Sequence, residues 1–375
     1  MLGRRVPLSF RRLFSTEEAS RAYQQQLDKA RVDCLALLNK YDRSSFLLSH
    51  YVPEPIRDSY TAIKAFNVEL KKVSDGASTS SNSQPNPALV DIKLKFWEDL
   101  MVKIFTQSHS NVALGEPIAT LLREGLKQDQ MLDLGVFQQI ISGRSHYVRN
   151  EAQRGFANID AICSFGESTD SQVNYALQGL LLSPSLSPAA NKFLELVPSE
   201  TRALMSEIAA HIGQSTSLAS VIVGLKYFAA AKNRVLLPLD LMAKHGLSQE
   251  SVLRIGQGHE EPADVTAKLQ DVVFDVSVAA NDHLMTARNK FDRVKESIRE
   301  TIAENRSEKW LTSASKRWRH KVSDVIFVPY MAAVPTELYL ERLEKYNFNV
   351  LHPKLATPEW RLAWRSYRNY NSRSI

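Results

Sequence analysis

Residues 264–305 read DVTAKLQDVVFDVSVAANDHLMTARNKFDRVKESIRETIAEN. Within this stretch Leu284, Ala287, Phe291, Val294, Ile298 and Ile302 recur every three or four residues, so over several turns they share one face of a helix. The same period governs the rest of the chain. Residues 15–40 place Tyr23, Leu27, Ala30, Cys34 and Leu38 on one face. Residues 88–106 align Ile92, Phe96, Leu100 and Ile104, with Trp97 beside them, and residues 63–75, IKAFNVELKKVSD, align Ile63, Phe66, Leu70 and Val73. Clean alternation bounded by Gly or Asn-Gly turns, the mark of a sheet, is not found. The pattern predicts an all-α fold.

Between the helices, GASTSSNSQPNPA (76–88) is small, polar and proline-containing and reads as a flexible loop. LLSPSLSPAAN (181–191) and QGHEEPAD (257–264) are shorter breaks, and no internal repeat interrupts the sequence. Helices and short turns alternate from residue 15 to about 356, which fits one helical domain better than two. The most apolar run, Leu218 to Leu225, falls far short of the roughly 20 residues needed to cross a bilayer. Ordinary apolar and charged fractions, 44% and 23%, place the 375 residues in the globular class.

The first fourteen residues, MLGRRVPLSFRRLF, stand apart. They carry Arg4, Arg5, Arg11 and Arg12, no acid, and apolar residues between. A basic, acid-free segment that can form an amphipathic helix is the profile of a mitochondrial presequence. Arg12 lies two residues before Phe14, a spacing common at matrix-processing sites, and Ser15-Thr16-Glu17-Glu18 then reads as a helix N-cap with acids in the first turn. Without residues 1–14, lysine plus arginine comes to 43 against 41 acids, a net of +2 instead of +6. The basic balance is therefore partly an address label, and nucleic acid is an unlikely partner. Cys34 and Cys163 fit no metal spacing and suggest free, buried thiols in a reducing compartment.

Familiar catalytic motifs are missing. His259 opens HEEPA without a second histidine four residues on, so the zinc-protease pattern is incomplete. Gly256 and Gly258 follow no strand, which excludes a dinucleotide fingerprint, and no serine sits in a nucleophile elbow.

The segment HIGQSTSLASVIVGLKYFAAAKNRVLLPLDLMAKHGLS (211–248) is a small-residue apolar helix ending at Lys232 and Arg234, followed by LLP and a helix stop at His245-Gly246. It resembles the second half of the squalene/phytoene synthase superfamily fold, where a long helix enters an Arg-x-x-Leu-Pro turn, here Arg234 to Pro238. AIKAFNVEL (62–70) resembles the first helix of that fold, and FWEDLMVKIF (96–105) the tryptophan helix after it. YNFNVLHPKL (346–355) resembles one branch, the mitochondrial complex I assembly factors. The resemblance runs from about residue 20 to about 356. It implies an isoprenoid-synthase-like helical bundle.

Active members of the superfamily join two isoprenyl diphosphates through Mg²⁺ ions held by two aspartate-rich motifs, because hard cations take charged oxygen ligands. Aligned on AIKAF, the first acids fall on Lys71 and Lys72, and Asp75 alone is kept. The second motif falls near Leu225, Phe228 and Ala229, and no Asp or Glu occurs from Ile208 to Leu239. Ammonium groups repel Mg²⁺. The resemblance therefore implies a chain with no catalytic residue, no metal site and no cofactor. Lys71, Lys72, Asp75, Lys226 and Arg234 form a candidate remnant pocket or partner site. A plainer reading leaves Lys71 and Lys72 on a solvated face, with Lys71 paired to Asp75 at i,i+4.

The C-terminal WRLAWRSYRNY (360–370) aligns Trp360, Trp364 and Tyr367 beside a second line, Arg361, Arg365 and Arg368. This 357–375 tail suits a bilayer interface or RNA; packing of its aromatics on the bundle is the preferred reading. The branch resemblance implies a complex I assembly factor in the mitochondrial matrix, peripheral to the inner membrane. Its partners would be complex I subunits or other assembly factors, with Trp360, Trp364, Arg361 and Arg365 offering membrane contact. The alternatives are a Mg²⁺-dependent prenyl transferase and a carrier of a lipid or isoprenoid. Import should remove residues 1–14: N-terminal sequencing of the mature protein is expected to begin at Ser15, and retention of Met1 in a cytosolic fraction would contradict the address.

Overall fold

The computed structural model describes residues 8–76, 87–110, 112–152 and 154–375, with side chains from residue 20 onward except Pro87. Residues 1–7 of the presequence and 77–86 of the expected loop lie outside the described residues. All regular structure among the described residues is helical. The helices of ten residues or more are α1 (Leu8–Tyr41), α2 (Glu54–Ser74), α3 (Pro87–Thr106), α4 (Pro117–Lys127), α5 (Leu134–Asn150), α6 (Ile159–Ser168), α7 (Asp170–Leu181), α8 (Ser199–Lys232), α9 (Ala263–Glu304), α10 (Ala333–Lys345) and α11 (Leu362–Ser372).

Side-chain caps set several helix starts. Glu116 accepts the Ala119 N–H at 2.7 Å, Asp133 that of Gly135 at 2.8 Å, and Asn158 that of Ala161 at 2.9 Å. Each satisfies a first-turn donor that the helix itself leaves open. Helix α8 stops at Asn233, which adopts the left-handed conformation at φ 51° that asparagine tolerates better than most residues.

Helix α8 lies at the centre, along α9 and against α6 and α7. Its small residues allow close approach. Ser215 donates to the Ala280 carbonyl of α9 at 2.7 Å. On the opposite side Ser171 and Asn174 of α7 donate to the carbonyls of Ala210 and Ala209, at 3.0 and 3.1 Å. At Gly213 a Cβ would run into the backbone of Ser171. One apolar core passes through these helices and includes Phe66, Trp97, Phe137, Ile212, Leu284 and Phe291.

The stripes expected on α1, α2 and α9 are the faces that pack inward: Leu27, Ala30, Cys34 and Leu38; Ile63, Phe66, Leu70 and Val73; Leu284, Ala287, Phe291, Val294 and Ile298 are all buried. Three expectations need correction. Helix α3 buries Val90, Leu94, Trp97, Met101 and Ile104, whereas Ile92 and Phe96 stand 66% and 53% exposed. Its apolar residues surround most of the circumference, so two stripes fit the same period and only the neighbours choose between them. Helix α1 runs through Ser15 without a break, where the sequence reading started a helix, since Leu8–Tyr41 contains neither glycine nor proline. Third, α8 is long and apolar enough, by length and composition, to cross a membrane, a property that its short most apolar run concealed. Most of that apolar window is buried inside the protein, as befits a core helix.

The close approach of α8 to α7 gives the first stability prediction. Gly213→Ala should destabilise the fold by about 1–3 kcal/mol through overpacking against fixed backbone. Gly224→Ala, where only the Phe228 ring is in the way, should cost under about 1 kcal/mol because helix propensity offsets the contact. Thermal unfolding of the two variants checks the difference.

Candidate functional site

Asp170, the first residue of α7, is a buried carboxylate facing both α2 and α8. Lys71 from the last turn of α2 pairs with its Oδ1 at 3.1 Å, and Asn67, one turn earlier, donates to the same oxygen at 3.2 Å. Ser217 of α8 donates to Oδ2 at 2.8 Å. Burial by itself would raise the pKa of Asp170. The Lys71 ammonium, the Arg144 guanidinium and the Ser217 hydroxyl outweigh it and hold the carboxyl well below the usual carboxylate range. Its place in the first turn of α7 also favours negative charge.

Asp75 follows the end of α2, its backbone N–H bonded to the Lys71 carbonyl at 2.9 Å. Burial pushes its carboxyl upward against the opposing pull of Arg144, Arg234 and Lys71. Arg234 reaches the same region because the chain reverses after Asn233 and runs beside residues 156–157. There the N–H of Leu239 and of Asp240 bond to the Phe156 and Ala157 carbonyls at 2.9 and 3.1 Å. Gly155, at φ 84°, permits that contact, since a Cβ would sit 3.0 Å from the Val235 carbonyl. The Arg234 guanidinium donates to the carbonyls of Ala152 at 3.0 Å and Asp75 at 3.2 Å and lies over the Phe228 ring.

These groups enclose a cavity of about 120 Å³, lined by Lys71, Asp75, Arg144, Tyr147, Asp170 and Ser220 and walled by aromatic and apolar side chains. Arg144 and Tyr147 project from α5, with Arg144 over the Phe165 ring. The Arg144 Nε and Nη2, the Arg234 Nε and the Tyr147 hydroxyl are buried without a hydrogen-bond partner among the described residues. Two cationic side chains, Lys71 and Arg144, thus meet two carboxylates in the lining, one of them biased toward its neutral form, with Arg234 bonded to the Asp75 carbonyl beside it. Such a lining suits a small anion. Among the described residues no group of three or more His, Cys, Asp or Glu side chains is arranged to hold a metal ion.

Of the five residues singled out in the sequence, the structure brings Lys71, Asp75 and Arg234 together. Lys72 turns away, pairing with Glu69 at 2.6 Å and lying over the Tyr41 ring. Lys226 is exposed on α8 and does not line the cavity. The expected Lys71–Asp75 pair and the solvated face are also corrected, because the α2 turn points Lys71 across to Asp170. Sequence reasoning missed Asp170, Arg144 and Tyr147. The only local signal at Asp170 is Ser168-Thr169-Asp170, which reads as a helix start, and nothing near Arg144 or Tyr147 marks them.

The central pair of long helices, the surrounding shorter ones and the polar cavity at the α2–α7–α8 junction define a helical bundle of the isoprenoid-synthase type. The chain belongs to the squalene/phytoene synthase family, whose model matches residues 38–367. It is similar to the Drosophila melanogaster homolog of NADH dehydrogenase (ubiquinone) complex I, assembly factor 6, at 25% identity over 90% of this chain and 83% of that protein. The Mus musculus complex I assembly factor 6 is 24% identical over 86% of this chain and 76% of its own length. Among solved structures, a dehydrosqualene synthase shares the fold with a TM-score of 0.59 at 12% identity, covering 94% of this chain and 98% of that one.

The Lys71–Asp170 pair sets a pH signature. Lys71→Met should lower stability by about 1–3 kcal/mol at pH 7, because a buried carboxylate loses its charged partner. In the native protein the Asp170 pKa is depressed, so the unfolded chain binds the proton first as pH falls. The contribution of this carboxylate is fully present above the unfolded value of about 4 and is lost below it. Denaturation curves of wild type and variant should therefore converge as the pH drops below about 4.

Proposed function

We propose that this protein is a non-catalytic assembly factor for mitochondrial respiratory complex I. It acts on early assembly of the matrix arm, from the matrix and peripheral to the inner membrane, with complex I subunits or other assembly factors as its partners. The observation that carries the non-catalytic part is Lys71 at 3.1 Å from Asp170. A tethered ammonium already pairs with the buried carboxylate of the cavity, and Asp75 is biased toward its neutral form by burial. The assembly part is supported by the relatives named complex I assembly factor 6 in Drosophila melanogaster, Mus musculus and Homo sapiens. The arginine-rich residues 1–14 support the mitochondrial address.

The cavity's dimensions weigh against prenyl transfer at this site. A space of about 120 Å³ is smaller than the roughly 300 Å³ or more that pockets for drug-sized ligands offer. A prenyl transferase must hold two isoprenyl chains there.

Two measurements test the reading. Cells depleted of the protein should lose complex I activity and accumulate matrix-arm intermediates, with recovery on re-expression of the wild type. The purified protein given farnesyl diphosphate and Mg²⁺ should yield no condensed product above background. Mg²⁺-dependent turnover that disappears in Asp75→Ala and in Asp170→Ala would overturn the non-catalytic reading. Normal complex I in depleted cells would overturn the assembly role.

A further inference from the structure

The C-terminal segment packs the opposite way from the preferred sequence reading, with Trp360, Trp364 and Tyr367 exposed. Charge holds it on α10. Arg361 pairs with Glu341 and Glu359, both at 3.0 Å, and Arg365 with Glu337 at 3.1 Å and Glu341 at 2.8 Å. On this flank the acids of α10 seat a helix that carries arginines.

The other flank of α10 borders a groove of about 280 Å³ shared with α9. Contact of the Phe274 and Phe348 rings, edge to face at 5.0 Å, marks one end, and the Arg288–Glu337 ion pair marks the other. Those ends lie 14 residues apart along α9, about 20 Å of helix. Phe274, Val278 and Leu340 give the groove apolar surface, and Glu337, Glu341 and Glu344 line its α10 side. Along α9, Phe274, Val278 and Met285 are 45%, 41% and 44% exposed at helical spacing, an apolar stripe on the side away from the buried seam. From Leu269 to Ala287 the same helix carries Asp271, Asp275 and Asp282 and no lysine or arginine.

Two features of the lining point to a ligand. Glu337 receives Arg288 and Arg365 on Oε1, while its Oε2 is buried without a hydrogen-bond partner among the described residues. An unpaired buried carboxylate oxygen is costly, and a donor arriving in the groove would offset that cost. Phe348 belongs to the NFNVLHPKL stretch and reaches the groove through a turn in which Asn347 and Phe348 adopt φ 51° and 55°. The left-handed conformation is unfavourable for a bulky phenylalanine, so the surroundings must hold this ring at the groove.

We infer that the α9–α10 groove docks an amphipathic, basic helix of a partner protein. Its apolar face would lie on Phe274, Val278 and Leu340, with lysines or arginines toward Glu337, Glu344 and Asp282. Asp282 and Glu344 are exposed and form no ion pair among the described residues. Grooves of this kind accept apolar anchors spaced three or four residues apart, and one about 20 Å long takes roughly four helical turns. Acids on both walls favour a basic helix and repel an acidic one. A second copy of this chain is the poorer occupant, because a two-fold contact here would press the acidic walls against each other. The inference rests on the assembly reading only for the partner's being a protein. It is tested on purified protein, so its failure leaves that reading standing.

The test is fluorescence anisotropy of a labelled leucine–lysine amphipathic peptide of about 14 residues, titrated with the full-length protein. Controls are the leucine–glutamate counterpart and a leucine–lysine peptide of scrambled order. Binding is expected for the first peptide alone. Val278→Asp should weaken it about tenfold or more, and Glu344→Lys about fivefold. Unchanged melting temperatures, expected at exposed positions, verify the fold. Met285→Asp serves should Val278→Asp unfold. Absent binding of the leucine–lysine peptide, equal binding of its scrambled form, equal binding by the folded variants, or a dimer that Val278→Asp dissociates would each overturn the inference.

Discussion

The Lys71–Asp170 ion pair is the interaction on which the interior arrangement depends. Taking a carboxylate out of water costs several kcal/mol unless charge and hydrogen bonds replace the lost solvation. Here the replacements come from three directions: an ammonium and an amide from α2, a hydroxyl from α8, and the helix start of α7 itself. Because the partners come from two other helices, satisfying Asp170 fixes the register of the three helices against one another. The same pair fixes the charge of the cavity. With Asp170 paired to Lys71 and Asp75 pushed toward its protonated form, Arg144 leaves the space electropositive.

Small side chains make that register possible. Gly213, Ser171 and Ser217 bring α7 and α8 close enough for serine hydroxyls and an asparagine amide to reach backbone carbonyls on the facing helix. The left-handed Asn233 then turns the chain so that Arg234 re-enters beside α2, and Gly155 leaves room for the returning strand of backbone. Family membership and this geometry meet at one point: the fold of a prenyl-coupling enzyme is retained, and its interior is wired to itself by lysine and arginine.

The two ends of the helical period show how differently burial can use the same residue types. Along α9, aliphatic and aromatic side chains form the buried seam, as hydrophobic transfer dictates. On α11 the buried residues are Leu362, Ser366 and Asn369, Arg365 and the preceding Arg361 pair with Glu337, Glu341 and Glu359, and the rings of Trp364 and Tyr367 point out. Long arginine stems can cover surface and carry paired charge at once. Helical spacing alone puts aromatics and arginines on neighbouring lines and leaves open which line turns inward.

The sequence by itself determined the fold class, the inward stripes of α1, α2 and α9, and the clustering of Lys71, Asp75 and Arg234, because helical period and matched motifs are local or aligned properties. Only the tertiary structure decided the rest. Asp170 lies 99 positions after Lys71, and no local pattern pairs an acid at a helix start with a lysine in another helix. Arg144 and Tyr147 join the cavity for the same reason, through the crossing of α5 over α2 and α7. The exposed face of α3 and the outward aromatics of α11 were decided by which neighbour each helix meets: period restricts a side chain to a line along the helix, and the partner surface decides whether that line is buried.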